Sequence, residues 1–333
     1  MSARTPALNR RTFLAALPAL GAATAATAQE NLHLVMAPSN LGLRPLRARQ
    51  QPGAWRAPEV LRAAGLAEAV GASRIIQMDR PSYRFDAEAG TRIRNGHAIR
   101  AFSATLGARV ASVLQAGAFP VVLGGDCSIL LGCLLGARAA GKVGLLHVDG
   151  HSDFYHPGNY DSKLRLGSVA GMDLALATGR GEPLLAEWNG LPLVEDRFVV
   201  QIGERDKLHP GADYGDIVRT RVRRLPVRRV LKRGIGDTVR DALLPVDGVR
   251  RPMWLHIDLD VLDQRMMPAV DSPGSPGLSF LQLAELIGGL LQERRVIGAD
   301  ITIFDPDLDP RGNYARNIVA CMARGFSKLR DSS

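Results

Sequence analysis

Two short acidic runs, Asp149-Gly150-His151-Ser152-Asp153 and Asp258-Leu259-Asp260, carry the residue types that bind divalent metals. Each follows an apolar stretch that reads as a buried strand, Val143 to Val148 and Met253 to Ile257. Side chains at i, i+2 and i+4 leave an extended backbone on one side. Asp149, His151 and Asp153 therefore share a direction, as do Asp258 and Asp260. Four carboxylates and an imidazole converge just past two strand ends. Carboxylates so placed repel one another unless cations neutralise them. One divalent ion takes about four to six ligands, and five ligands with bridging carboxylates suit two ions better than one. A metal pair can hold and activate a water at neutral pH.

The elements that must position these runs alternate along the chain. Strand patterns at Leu32–Met36, Ile75–Met78, Phe119–Leu123, 143–148, Phe198–Ile202, 253–257 and Val296–Phe304 are separated by helical ones. The helical patterns include Ala57–Ala64, Ala98–Leu114, Ser128–Ala140 and Leu281–Gln292. Strands alternating with helices predict a doubly wound α/β fold on a parallel sheet, with its site at the carboxyl ends of the strands. The composition agrees: 46% of residues are hydrophobic and only 5% aromatic, which suits a core of small aliphatic side chains. No linker, repeat or low-complexity tract interrupts residues 29–333, which read as one domain.

Residues 1–28 read as a targeting segment rather than part of the fold. Asn9-Arg10-Arg11-Thr12-Phe13-Leu14 is a twin-arginine pattern, an apolar run follows, and Ala26-Thr27-Ala28 is a cleavage site. The expected location is the periplasm or beyond, reached through the twin-arginine export machinery. No remaining stretch is long and apolar enough for a transmembrane helix. Cleavage removes Arg4, Arg10 and Arg11 and no acid, so the net charge of +9 falls to +6. The excess concentrates in Arg219–Arg224 and Arg228–Arg233. These runs lack interleaved aromatics and any nucleic-acid motif, so they read as a solvated surface and no nucleic-acid partner is expected. Three cysteines are too few and too scattered for a disulfide framework. Cys133 and Cys321 sit in apolar helical contexts and read as packing residues.

Three segments together resemble the ureohydrolase family, the arginase and agmatinase group. Gly124-Gly125-Asp126-Cys127-Ser128 is similar to that family's Gly-Gly-Asp-His-Ser, and Asp149 to Asp153 to its Asp-Ala-His-x-Asp. Asp258-Leu259-Asp260-Val261-Leu262-Asp263 is similar to its Asp-x-Asp-x-x-Asp, and Ser272 to Ser279 to the Pro-Gly-rich loop that follows. The resemblance implies a three-layer α-β-α sandwich around a mostly parallel sheet. It also implies that Asp149 and Asp258 bridge two ions, with Asp153 and Cys127 completing one site and His151 and Asp260 the other. Asp126 resembles the structural acid beside the site. The implied activity is hydrolysis of a linear C–N bond in a small guanidino or amidine substrate by a metal-bridging hydroxide. Homo-oligomers, trimers or hexamers, are implied as well.

The departures are as informative. Cys127 stands where the family has a histidine ligand. Family resemblance implies manganese, but a thiolate is softer than imidazole and opens zinc, iron or nickel; a buried cysteine with no ligand role is the other reading. The position of the arginase proton-shuttle histidine falls at Leu166, and that of the guanidinium-binding Glu at Ile303. His156 and Asp305 are the nearest replacements, as proton shuttle or substrate contact and as substrate-facing acid, with Asp307 a further option. His147 and His256, inside strand patterns, read as satisfied core histidines. Two other functions stay open: a family member that binds metal or ligand without turnover, and a deacetylase-like amide hydrolase using a single zinc.

Overall fold

The computed structural model describes residues 31–205, 215–245, 248–292 and 294–330. The export signal expected at residues 1–28 lies outside them. Eight strands form one sheet: β1 (Leu32–Ala37), β2 (Ala72–Gln77), β3 (Phe119–Gly124), β4 (Gly144–Val148), β5 (Val199–Ile202), β6 (Arg223–Leu225), β7 (Met253–Asp258) and β8 (Val296–Thr302). The order is β2-β1-β3-β8-β7-β4-β5-β6, and every pairing is parallel. This is the parallel α/β sheet that the alternating pattern predicts.

A parallel sheet must be covered on both faces, because its crossover helices lie there. Alternate residues of one strand accordingly enter different cores. Leu34 and Met36 of β1 join Leu286, Ile287 and Phe326, from helices Phe280–Gln292 and Asn313–Arg330. Val35 and Ala37 join Leu106, Val110 and Leu130, from helices Gly96–Gln115 and Ile129–Ala137. The C-terminal helix, whose extent the sequence pattern leaves open, contains Cys321 and confirms its apolar helical context. The basic runs become β6 and the helix Val227–Arg233 at the sheet's edge.

Non-consecutive strands occupy the middle of the sheet, so the chain segments leaving β3, β8, β7 and β4 stand side by side at one end. Those segments carry Cys127, Ile303, Asp258 with Asp260, and Asp149 to Asp153 respectively. β8 is shorter than its apolar pattern suggests. It ends at Thr302 because Ile303 turns to φ +75°, a left-handed conformation that a β-branched residue rarely adopts. There its N–H donates to the Gly125 carbonyl at 2.6 Å, tying the end of β8 to the turn after β3.

Candidate metal centre

The aspartates close their own turns first. Asp149 Oδ1 accepts from the His151 N–H at 2.6 Å, and Asp258 Oδ1 accepts from the Asp260 N–H at 2.7 Å. Each carboxylate thereby fixes where the ligand two residues on will point. The result is an outer cluster in which Asp149, His151 and Asp260 offer donor atoms within 4.8 Å of one another. His151 Nδ1 is 2.7 Å from Asp260 Oδ2 and 3.7 Å from Asp149 Oδ1. Cys127 Sγ lies 2.7 Å from Asp258 Oδ2 and 3.4 Å from Thr302 Oγ1, fully buried. Asp153, at φ +43°, turns towards His147 and Asp173. The predicted ligands thus gather at one place, spread over an outer and an inner level.

The electrostatics call for cations. Burial, followed by repulsion from neighbouring carboxylates, pushes Asp153 and Asp258 well above the usual carboxylate range. Burial alone would lower His151, but Asp260 and Asp149 outweigh it and raise the imidazole to about 10. Asp260 runs the other way: burial raises it, yet His151 and Arg205 bring it below the usual range. Asp149 Oδ2 is buried and has no hydrogen-bond partner. Converging carboxylates with an orphaned oxygen and raised affinity for protons fit a divalent ion, and these residues would hold it.

Two supports brace the centre. Asp126 Oδ1 accepts from the N–H groups of Gly42 at 3.0 Å and Ser128 at 2.9 Å, and Oδ2 accepts from Ser39 Oγ at 2.8 Å. It ties the loop after β1 to the Cys127 turn. Arg205, after β5, donates to the carbonyls of Asp260, Leu262 and Pro276, the last two at 3.1 Å. A Cβ at Gly150 would overlap its guanidinium, which is why this run has Gly where the resembled motif has Ala. Asp263, the third acid of its motif, is no ligand. It accepts from Arg265 and from the Gly277 N–H, and Arg265 holds its carboxyl well below the usual range.

The centre opens into a cavity of about 640 Å³. His151, Asp153, Asp258 and Asp260 lie on its acidic side; Tyr155, Tyr160, Leu166 and Ile303 also line it, with Arg44, Arg94 and Arg165. Asp271 is the other carboxylate on the wall. Sequence reasoning missed it, and the signal was available: it directly precedes the Ser272–Ser279 loop.

Two sequence-based placements do not hold. His156 does not line the cavity: its Nε2 is 2.7 Å from Asp216 Oδ2, and its Nδ1 accepts from the Gly158 N–H. Asp305 does not line it either. Its carboxylate accepts from the N–H groups of Gly53 and Asp307, while Asp307 pairs with Arg56. Nor are His147 and His256 satisfied core histidines. Neither ring nitrogen of His147 has a hydrogen-bond partner, and His256 has one only at Nδ1.

Comparison with known proteins agrees with this arrangement. Residues 31–326 match the arginase family. The arginase of Bacillus caldovelox is 32% identical over 255 residues, covering 74% of this chain and 81% of that protein. An N(1)-aminopropylagmatine ureohydrolase of Thermus thermophilus is 30% identical over 215 residues, 62% of this chain and 60% of that protein. The solved structure of the Bacillus caldovelox arginase superposes with a TM-score of 0.77 at 26% identity, covering 89% of this chain and 98% of that one. With a family match over residues 31–326 and a fold that superposes on a solved arginase, this chain belongs to the arginase family.

Proposed function

We infer that the protein hydrolyses a linear C–N bond in a small guanidino or amidine substrate that also carries an anionic end. Family membership carries the coarser statement: this is a metal-dependent hydrolase of the ureohydrolase kind. The finer reading rests on one observation. The cavity joins the acidic centre to a second carboxylate, Asp271, and to three arginines, Arg44, Arg94 and Arg165.

Asp149, His151, Asp258 and Asp260, with Asp153 and Cys127, would hold two divalent ions. When bound, such ions supply a water activated at neutral pH and polarise the carbon under attack. The chain's own residues do the rest. With Leu166 and Ile303 apolar, Asp271 is the carboxylate placed to pair with a cationic amidinium and orient its carbon towards the centre. Arg44 lies beside Asp271 itself, so Arg165, held over Tyr155 and Tyr160, is the arginine that favours a carboxylate or similar anion on the substrate. This pairing differs from the one the resemblance implies for arginine, so the preferred substrate is another guanidino or amidine acid.

The test is a screen of guanidino acids, amidino acids and plain amines of matched length, read as released urea or ammonia. Turnover confined to anionic guanidino or amidine compounds supports the reading. Equal turnover of uncharged or purely cationic analogues, or unchanged KM in Asp271→Asn, overturns the substrate assignment. Release of acetate from acetylated amines would instead favour amide hydrolysis. We further propose export by the twin-arginine route, supported by Arg10-Arg11 and Ala26-Thr27-Ala28. Loss of periplasmic protein in an Arg10→Lys, Arg11→Lys double variant is the expected result.

A further inference from the structure

Beneath the outer cluster lies a second level of metal-binding side chains that the ureohydrolase motifs do not include. Along β4, His147 precedes Asp149 by two residues, and along β7, His256 precedes Asp258 by two. Each histidine therefore lies on the same face as its aspartate, one step deeper. The strands pair in register with His147 beside His256, and His256 beside Asp300. The imidazoles stack with centroids 4.8 Å apart. Asp173, first residue of the short helix Asp173–Ala177, meets both rings: His147 Nε2 is 3.4 Å from Oδ1, and His256 Nε2 is 3.7 Å from Oδ2.

All three side chains are fully buried, yet both oxygens of Asp173, both nitrogens of His147 and Nε2 of His256 lack hydrogen-bond partners. Leaving that many polar atoms orphaned in a protein interior costs each of them its lost hydration without compensation. Direct ion pairs do not remove the cost, because these separations exceed hydrogen-bonding distance. They match another arrangement. Ligand atoms about 2.0–2.3 Å from a tetrahedral ion stand roughly 3.3–3.8 Å apart.

His256 is also prepared as a ligand. Its Nδ1 meets Asp300 Oδ2 at 2.5 Å, and Asp300 Oδ1 accepts from Trp254 Nε1 at 2.5 Å. An imidazole whose Nδ1–H is held by a carboxylate presents the Nε2 lone pair, the arrangement that accompanies metal-bound histidines. That lone pair faces the space where Cys127 Sγ, Asp173 and His256 offer donor atoms within 4.8 Å of one another.

We propose that Cys127, Asp173 and His256 form an inner metal site that takes a thiophilic divalent ion such as zinc. Thiolate and imidazole select zinc, cobalt or iron over manganese. None of Asp173, His147 and His256 lines the cavity, so this site is closed, as structural zinc sites are. Cys127 then serves this inner ion in place of the outer pair, which keeps Asp149, His151, Asp153, Asp258 and Asp260, and the histidine that the first motif lacks is replaced by His256 of β7. The site stands on its own geometry and does not depend on the hydrolase reading.

Cobalt is the probe. The full chain, stripped of metal and titrated with cobalt(II), should show a thiolate-to-metal charge-transfer band that saturates at one equivalent. Cys127→Ser should abolish the band. Asp173→Asn and His256→Gln should weaken cobalt affinity at the band by at least about tenfold, whereas Asp260→Asn at the outer level should leave the band in place. A band insensitive to both inner substitutions overturns the site. X-ray absorption of the zinc-loaded wild-type chain decides independently of any variant's folding: a mixed sulfur and imidazole shell supports the site, and an all-oxygen shell or one without sulfur overturns it. Hydrolytic turnover reads the other question. A chain with the band and no turnover on any substrate keeps the inner site and loses the hydrolase reading; turnover without the band does the reverse.

Discussion

Removing the Asp126 carboxylate should loosen the metal centre without touching a ligand. Asp126 is fully buried and accepts three hydrogen bonds, from Ser39 Oγ, the Gly42 N–H and the Ser128 N–H. Asp126→Ala leaves those three donors without an acceptor, at about 1–3 kcal/mol each. Because a water can enter the vacated space and the losses are not additive, the expected total is about 4 kcal/mol. Asp126→Asn is different. Its Oδ1 can keep both N–H donors, and its Nδ2 can donate to Ser39 Oγ, so only the serine's own donation is lost, about 1 kcal/mol. Burial raises the Asp126 carboxyl above its ordinary value, and the amide keeps its shape and both accepted N–H bonds. Urea unfolding of the metal-free chain, compared through midpoint and slope, measures both costs. The Ala variant should also bind metal more weakly, because the Cys127 turn is no longer held to the loop at Gly42. An Ala variant costing under about 1 kcal/mol, or an Asn variant as damaging as Ala, would refute the idea that this carboxylate is the fastener.

Other consequences can be measured directly. Asp258→Ala should abolish turnover and remove the metal held at the outer level, leaving no more than one equivalent at the inner site; unchanged turnover in a urea assay, or unchanged total metal in elemental analysis, would contradict its role as a ligand of the outer ions. Asp271→Asn should raise KM at least about tenfold, roughly 1.4 kcal/mol of lost pairing, with a smaller effect on kcat in steady-state kinetics. Gly150→Ala forces Arg205 from its three carbonyls and should cost about 2–4 kcal/mol; an unchanged melting temperature would show that the guanidinium is free to move. The metal-free chain should lose stability as pH rises. Carboxyls held above their unfolded values favour the protonated folded state at low pH, and Asp153 and Asp258 are so held. His151, raised to about 10, and His256, where Asp300 and Asp173 outweigh burial to raise it to about 9, stabilise below the ordinary histidine value and lose that contribution as pH climbs through these values. His147, which burial lowers to about 4, opposes this trend only below its ordinary value. Melting temperatures with chelator should therefore fall between about pH 7 and 9, and added zinc should flatten the fall; a rising curve would contradict the charge assignment.

Much of this protein is written locally. Asp149, His151 and Asp153 face one way because an extended chain repeats every two residues, and an apolar run before them makes a strand end the only place they can sit. The same logic yields Asp258 with Asp260, the alternation of strands and helices, and the parallel sheet. Even β8 is legible except for its last residues, where a contact with Gly125 from a distant turn bends Ile303 out of the strand. What the sequence left open depends on which distant residue reaches a side chain first. His156 follows the metal run closely, yet it is held by Asp216, 60 positions away. Asp305 stands just past a strand end, yet the Gly53 N–H, 252 positions away, claims it. Asp271 had only its place before the Ser272–Ser279 loop to mark it, and Asp173 belongs to no motif; folding brings one to the cavity wall and the other beneath two histidines. Periodicity fixes the direction in which a side chain leaves its own backbone; the packing of separate chain segments fixes what it meets there, and at this centre that decides which groups can serve as ligands and which are braces.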